Sequence, residues 1–524
     1  MPKVLISDEL SEAAIDIFKA RGVDVDFKPG LKKDELISII GDYDGLAVRS
    51  NTKATAEVIA AAKNLKVIGR AGIGVDNIDI PAATAKGVVV MNTPFGNSIT
   101  TAEHAIALMF AAARQLAAAD VSTQAGKWEK NRFMGRELYA KTLGLIGCGN
   151  IGGIVADRAL GLKMKVIAYD PFLSVERAVQ LGVEKVELEE LLPRADVISL
   201  HVPMTEKTKN ILSREALAKT KPGVIVVNAA RGGLVDEAAL REALESEHVA
   251  AAAFDVFTIE PAKENVLFGA PNFIATPHLG ASTNEAQENV ALQVAEQMSD
   301  YLLTGAVTNA LNMPSITAEE APRLKPFAAL AEKLGAFAGQ IVDEGLDEVE
   351  IEYEGDVTKL NMKPLTATAL AGILRPLLQD VNVVSAPTLL KERGAALTES
   401  TRDDSPTYDS LIRVKVRTGG GWRTLAGTLV AGQPRIVEVK GMALEAPFHP
   451  LTLYINNTDK PGFIGALGTL LGGAEINIAT FHLGREAAGA EAIALVGIDQ
   501  APAEAVMTEL KALPQVRYAK LLRF

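Results

Sequence analysis

From residue 4 to about residue 300, short apolar runs rich in β-branched residues alternate with stretches whose apolar positions recur at helical spacing. That alternation predicts doubly wound parallel sheets, and the runs fall into two such units. The first unit has strands at 4–7, 45–49, 66–70 and 88–91. The second opens with a helix at 101–115 and continues with runs at 142–146, 166–169, 197–201, 224–228 and 251–255. A long helical pattern over 284–303 predicts a return to the first unit. Around Pro314, Pro322 and Pro326 the rhythm breaks, which predicts a linker.

The chain beyond is patterned differently. Residues 327–446 predict helices at 327–342 and 365–378, strands at 348–353, 411–417 and 435–439, and a polar loop at 399–410, with no catalytic constellation among them. After residue 450 the order is strand 451–455, helix 461–471, strands 476–483 and 492–498, helix 502–512 and strand 516–522. That βαββαβ order is ferredoxin-like. No solenoid-type repeat is present.

At 524 residues, with 48% hydrophobic and 23% charged positions, the chain has the length and composition of a soluble protein of three or four domains. A net charge of −12 argues against nucleic-acid or anionic-membrane partners, although a local basic pocket remains compatible with it. Cys148 is the single cysteine, so no intrachain disulfide forms and nothing points to an oxidising compartment; a cytoplasmic protein is expected. The first apolar run reaches Asp8 too soon for a signal-peptide core, and no stretch has membrane-spanning length.

The most specific signal is Gly147-Cys148-Gly149-Asn150-Ile151-Gly152, directly after the run 142–146 and before a helical pattern beginning at Ile154. Alone, G-x-G-x-x-G is weak evidence. Here the next run ends in Asp170, roughly 20 positions past the last glycine, where an acid grips the ribose of a dinucleotide. The glycines permit a tight turn and close approach of a pyrophosphate, and the helix start offers unpaired N–H groups and positive dipole.

Three further residues fit a reaction. Arg231 and Glu260 follow predicted ends of parallel strands, where such sheets place ligands, and His278 follows the run 273–275. Singly each has an ordinary explanation as a surface charge or a loop histidine held by backbone. Together they match the oxidation of a 2-hydroxy acid: a histidine takes the hydroxyl proton, a carboxylate fixes its tautomer and stabilises the imidazolium, and a guanidinium binds the substrate carboxylate through two parallel hydrogen bonds.

The runs 69–77, 91–94 and 96–98, the 147–152 loop, and the segments 228–233, 255–261 and 277–280 resemble the D-3-phosphoglycerate dehydrogenases, a branch of the D-isomer-specific 2-hydroxyacid dehydrogenase family. The resemblance covers the whole chain, because the branch's long form adds an intervening domain and an ACT domain. It implies a substrate-binding domain at 1–98 and 288–315, an NAD-binding Rossmann domain at 99–287, an intervening domain at 316–448 and an ACT regulatory domain at 449–524. It implies catalytic roles for Arg231, Glu260 and His278. Toward NAD it implies Gly147, Gly149, Asn150, Ile151 and Gly152 at the pyrophosphate and Asp170 at the ribose. Val202 and Ala229 would meet the nucleotide through their backbone and Asp255 the nicotinamide amide, with Arg231, His278 and Gly280 beside it.

Toward the substrate the resemblance implies Arg49, Ser50, Arg70, Gly72, Ile73, Gly74 and Asn97. It places Arg132, near Trp128, toward a neighbouring subunit's site, with an interface or core aromatic as the plainer reading of Trp128. Cys148 departs from the larger apolar residue common at its position and is expected to pack inward without a redox role. In the ACT domain Asn457, Asp459 and Asn477 match positions that contact L-serine between subunits; turn residues in a purely structural domain are the alternative. No metal is implied. The implied activity is NAD-dependent oxidation of 3-phospho-D-glycerate to 3-phosphohydroxypyruvate, the first step of L-serine biosynthesis, by a homo-oligomer, dimer or tetramer, with a side activity on 2-hydroxyglutarate. The alternatives are a glyoxylate or hydroxypyruvate reductase, or a non-catalytic NAD-sensing protein.

Overall fold

The apolar runs lie inside parallel sheets whose two faces are both covered, so residues such as Val4, Leu5, Ile6, Val226 and Val227 have no exposed surface. The computed structural model describes the chain from Met1 to Phe524 apart from residues 318, 344, 380 and 420. The first sheet comprises β1 (Lys3–Ile6), β2 (Asp24–Phe27), β3 (Gly45–Val48), β4 (Val67–Arg70) and β5 (Val89–Met91), in the order β2-β1-β3-β4-β5. The helix Asn284–Thr304 packs Val290, Val294 and Met298 onto this sheet beside Val4, Ile6 and Val67. A distant segment thus completes the first unit.

The second sheet comprises β6 (Thr142–Ile146), β7 (Lys165–Tyr169), β8 (Glu184–Lys185), β9 (Val197–Leu200), β10 (Val224–Asn228), β11 (Val249–Phe254) and β12 (Phe273–Ala275). Its order is β12-β11-β10-β9-β6-β7-β8, so the winding reverses between β6 and β9; in the first sheet it reverses between β1 and β3. Ligands bind at the carboxyl ends of strands beside such switch points.

The third sheet comprises β13 (Leu346–Gly355), β14 (Ala396–Arg402), β15 (Ser410–Thr418), β16 (Gly421–Val430), β17 (Gln433–Val439) and β18 (Met442–Pro447), ordered β14-β13-β15-β16-β17-β18. The helices Ala321–Gln340 and Lys363–Leu374 cover one face. The fourth sheet, β19 (Leu451–Thr458), β20 (Ile478–Arg485), β21 (Glu491–Ile498) and β22 (Val516–Arg523), is antiparallel in the order β20-β21-β19-β22, with helices Phe463–Gly473 and Glu504–Ala512 on one side. Its other face shares Tyr454, Leu495 and Leu522 with the core around Phe337.

Four expectations need correction. Pro322 and Pro326 belong to the helix Ala321–Gln340 and not to a linker: Pro322 sits in the first turn, where its missing N–H has no intrahelical partner, and burial of Leu330, Leu334 and Phe337 carries the helix past Pro326. The polar stretch 399–402 is no loop; it forms most of β14, a mostly exposed edge strand parallel to β13 that needs no apolar alternation. Strand β2, also an edge, carries Asp24 and Asp26 and so escaped an apolar pattern. The helix after the glycine turn starts at Asn150, not Ile154, because Gly152 and Gly153 interrupt the apolar spacing although Ile151 already packs on the core. Among the described residues no single helix is long and apolar enough to cross a membrane; the bent pair Ser98–Arg114 and Leu116–Gln124 qualifies only when joined.

Candidate active site

Strand β6 delivers the chain into the glycine turn. Gly147 has φ +95°, and a Cβ there would lie 2.5 Å from the His201 carbonyl oxygen, so no other residue fits. Gly152 lets the helix Asn150–Gly161 approach the turn, since a Cβ would fall 2.3 Å from the Gly147 oxygen. Above Gly149 nothing lies within 4 Å, and the helix N-terminus opens onto that space. Val202 packs beneath Gly147, and Ala229 is buried just past β10. Asp170, at the end of β7, accepts the Cys148 and Phe172 N–H groups, both at 2.8 Å, and lines a cavity with Gly149, Asn150, Ser174 and Arg177. The cradle therefore has the open helix start and the ribose acid that a dinucleotide requires. Burial beside Asp170 pushes the Cys148 thiol up to about 11, which keeps it protonated and unreactive.

Asp170 also sets an expected preference for NAD over NADP, because a carboxylate accepts from ribose hydroxyls and repels a 2′-phosphate. Asp170→Ala should weaken NAD binding and narrow the gap to NADP. Titration of both nucleotides checks this, and an unchanged ratio would assign the preference elsewhere.

A second cavity, of about 720 Å³, lies between the two sheets' carboxyl ends. On one wall His278 Nδ1 stands 2.7 Å from Glu260 Oε2, and Glu260 Oε1 accepts the Phe257 N–H at 2.9 Å. An ionised carboxylate only accepts, so Nδ1 carries the proton and Nε2 is left as the free base. The Glu260 bond raises His278 above its usual value, against burial. Burial would raise Glu260, but His278 and the Phe257 N–H outweigh it and hold the carboxyl below its usual range.

The opposite wall is cationic. Asp8, buried after β1, accepts the Arg49 N–H at 2.6 Å and the Thr52 hydroxyl at 2.8 Å, which shapes the 49–52 loop. Asn77 donates to the Arg49 and Thr52 carbonyls and accepts from Arg70 Nε at 3.1 Å. Burial pushes the Arg70 guanidinium down to about 10, with Arg231 and Arg49 adding repulsion. Asn97 Oδ1 is buried there without a partner. Cations that repel one another suit an anionic ligand, and the unpaired Asn97 oxygen can accept only from a donor such as a hydroxyl.

Of the three residues proposed from sequence, His278 and Glu260 are in contact. Arg231 crosses instead to Asp76, Nε to Oδ2 3.2 Å, and donates Nη1 to the Ala230 carbonyl, while its charge still lowers both partners of the histidine pair. Its guanidinium fills the space over Gly74, so a side chain there would displace it. Ser50 and Gly72 line the cavity; Ile73 offers its carbonyl to Asn92. Asp255 is fully buried, accepts the Thr276 hydroxyl and the Leu279 and Gly280 N–H groups, and has His104 Nε2 within 3.2 Å. Arg132 lies outside this chain's cavity and pairs with Glu129 at 3.0 Å, and Trp128 is 87% exposed, which rules out a core position.

In the fourth domain Asp459 pairs with Arg485 at 3.0 Å, Asn477 donates to Asp499 at 2.7 Å, and Asn457 keeps a buried Oδ1 without a partner. No hydrogen bond or ion pair among the described residues joins these three side chains. Sequence reading gave no role to Asp8, Asp76, Asn77 or His104. Asp8 was findable as the first acid past a strand end, and Asp76 and Asn77 lie inside the 69–77 run.

A nucleotide cradle beside a carboxylate-backed histidine that faces arginines across a two-domain cleft marks a nicotinamide-dependent dehydrogenase of 2-hydroxy acids. Residues 106–280 match the NAD binding domain of the D-isomer specific 2-hydroxyacid dehydrogenases, and residues 323–440 the D-3-phosphoglycerate dehydrogenase intervening domain. The chain is 45% identical over 517 residues to D-3-phosphoglycerate dehydrogenase of Archaeoglobus fulgidus, covering 98% of each chain. It is 41% identical over 529 residues to that of Bacillus subtilis, covering 100% of this chain and 99% of the other. The crystal structure of NAD⁺-bound 3-phosphoglycerate dehydrogenase of Entamoeba histolytica superposes with a TM-score of 0.51 at 34% identity, over 59% of this chain and 98% of that one. The chain belongs to the D-3-phosphoglycerate dehydrogenase family, and it is an NAD-dependent oxidoreductase.

Proposed function

We propose that the chain oxidises 3-phospho-D-glycerate to 3-phosphohydroxypyruvate, the entry step of L-serine biosynthesis. The observation that carries this reading is the 2.7 Å His278–Glu260 pair opposite Arg49 and Arg70, with the Arg231 charge close enough to act on both members of the pair. Bound NAD supplies the hydride acceptor. His278 Nε2 takes the hydroxyl proton, and Glu260 stabilises the imidazolium that forms. Arg231 turns from Asp76 to grip the substrate carboxylate bidentately, and Arg49 and Arg70 receive the phosphate.

Steady-state assays with 3-phosphoglycerate, glycerate and 2-hydroxyglutarate test the assignment, and a preference for glycerate would sink it. A minor activity on 2-hydroxyglutarate is expected, since its second carboxylate would meet the same arginines. Matches that span nearly the whole chain weigh against a shorter glyoxylate or hydroxypyruvate reductase. The intact histidine pair weighs against a non-catalytic NAD sensor. Arg49→Ala should raise the KM for phosphoglycerate far more than that for an unphosphorylated 2-hydroxy acid; equal effects on both would remove Arg49 from phosphate recognition.

The protein works as a homo-oligomer on this reading, supported by the exposed apolar side chains Val121, Trp128, Met134 and Tyr139 near Arg132. L-serine is its proposed effector at the ACT domain, supported by the unpartnered Asn457 Oδ1 and the Asp459 carboxylate. Serine inhibits only by favouring one assembly state over another. L-serine should bind and lower turnover, and Asn477→Ala should relieve that without harming unregulated activity. Calorimetry that detects no serine binding would refute the regulatory role.

A further inference from the structure

The helix Ser98–Arg114 carries three polar residues on one face, at helical spacing from its cap: Asn97, Thr101 and His104. Each meets the reaction centre differently. Asn97 lines the cavity. The Thr101 hydroxyl lies 2.9 Å from the Gly280 carbonyl and 3.0 Å from that of Asn97. His104 Nε2 lies 3.2 Å from Asp255 Oδ1 and 3.4 Å from the Thr276 hydroxyl.

Asp255 is the junction. Its carboxylate takes the Thr276 hydroxyl at 2.6 Å and the N–H groups of Leu279 and Gly280 at 2.7 and 2.8 Å, while its carbonyl takes the His278 N–H at 2.9 Å. His278 itself sits at φ +59°, a conformation that a non-glycine residue keeps only when its surroundings hold it there. The Thr276 hydroxyl spends its proton on Asp255, and the carboxylate has none, so His104 Nε2 is the donor, hydrogen-bonded to the Thr276 oxygen and within ion-pair distance of Asp255. It is the one ring nitrogen among the described residues that reaches this buried carboxylate.

We propose that His104, with Thr101, is a positioning residue for the reaction, holding through Asp255 and Gly280 the backbone that presents His278 to the substrate. The inference rests on the function proposed above for its kinetic readout, but not for its structural one. Without the His104 donor a carboxylate with no exposed surface loses one of the partners that stabilise its charge, and its hold on the 279 and 280 N–H groups weakens. The loop then loosens, and a small displacement of a catalytic group is enough to cost rate.

The test uses the full-length protein and two readouts: amide hydrogen exchange at Leu279 and Gly280 without nucleotide, and kcat with 3-phosphoglycerate and NAD. His104→Phe keeps the ring volume and removes the donor; it should speed exchange and lower kcat, each about tenfold. His104→Gln keeps a donor and should restore both to within about threefold. Thr101→Val should act on the same loop and combine with His104→Phe less than multiplicatively. Unchanged exchange and kcat in His104→Phe would overturn the proposal, and so would equal loss in His104→Phe and His104→Gln, the mark of mere packing. If His104→Phe fails to fold, unchanged exchange in Thr101→Val overturns it instead. Absence of wild-type turnover on phosphoglycerate would defeat the function reading alone, and the exchange result would still decide this one.

Discussion

His278→Ala should lower turnover by about 10²–10⁴-fold, the usual contribution of a positioned proton acceptor, while NAD binding stays near that of the unaltered protein. The split follows from the geometry. Nε2 is the only nitrogen of the ring not committed to Glu260, and the nucleotide cradle at 147–152 is built from other segments. Steady-state kinetics and nucleotide titration check the two halves separately. Near-normal turnover would remove His278 as the base, whereas lost nucleotide binding would mean that the residue holds the cofactor domain together.

Glu260→Gln should have the next largest effect, and its signature is in the pH profile. Oxidation needs His278 neutral, so activity rises with pH through the histidine's value, which Glu260 holds above the usual imidazole value of about 6.5. Glutamine can still accept from Nδ1 but carries no charge. The limb should therefore move to lower pH while maximal turnover falls, because the imidazolium formed in the step loses its stabilising charge. An unshifted limb would take Glu260 out of the mechanism.

Stability follows the same pair with its own signs. Folding raises the His278 value, so its contribution is present below the unfolded imidazole value and is lost as pH rises through the folded one. Glu260 is held low, so its contribution is present above the unfolded carboxyl value and is lost as pH falls through the folded one. Wild type and Glu260→Gln should differ most in thermal unfolding between those two values.

The cofactor site was legible in the chain because its chemistry is local. A strand, a glycine turn, a helix start and an acid at the end of the next strand are set by residues within one βαβ unit, and the turn tolerates nothing larger at Gly147. His278 and Glu260 lie 18 residues apart on neighbouring strand ends, so their pairing was also within reach of a sequence argument. Patterning failed at the sheet edges. Strands β2 and β14 carry polar residues that no core selects, and the expectation of a linker through Pro326 gave way to the buried face of a helix.

By itself the sequence determined the two wound sheets, the dinucleotide turn and the histidine with its carboxylate, since each depends on periodicity or on contacts between neighbouring segments. Only the tertiary structure decided which charges meet. Arg231 pairs with Asp76 across 155 positions, Asp8 shapes the Arg49 loop across 41, and His104 reaches an Asp255 already committed to the catalytic loop. No repeat or spacing encodes such pairs. They arise where packing of two separately wound sheets brings strand ends together, and a buried carboxylate takes whatever donors that packing delivers.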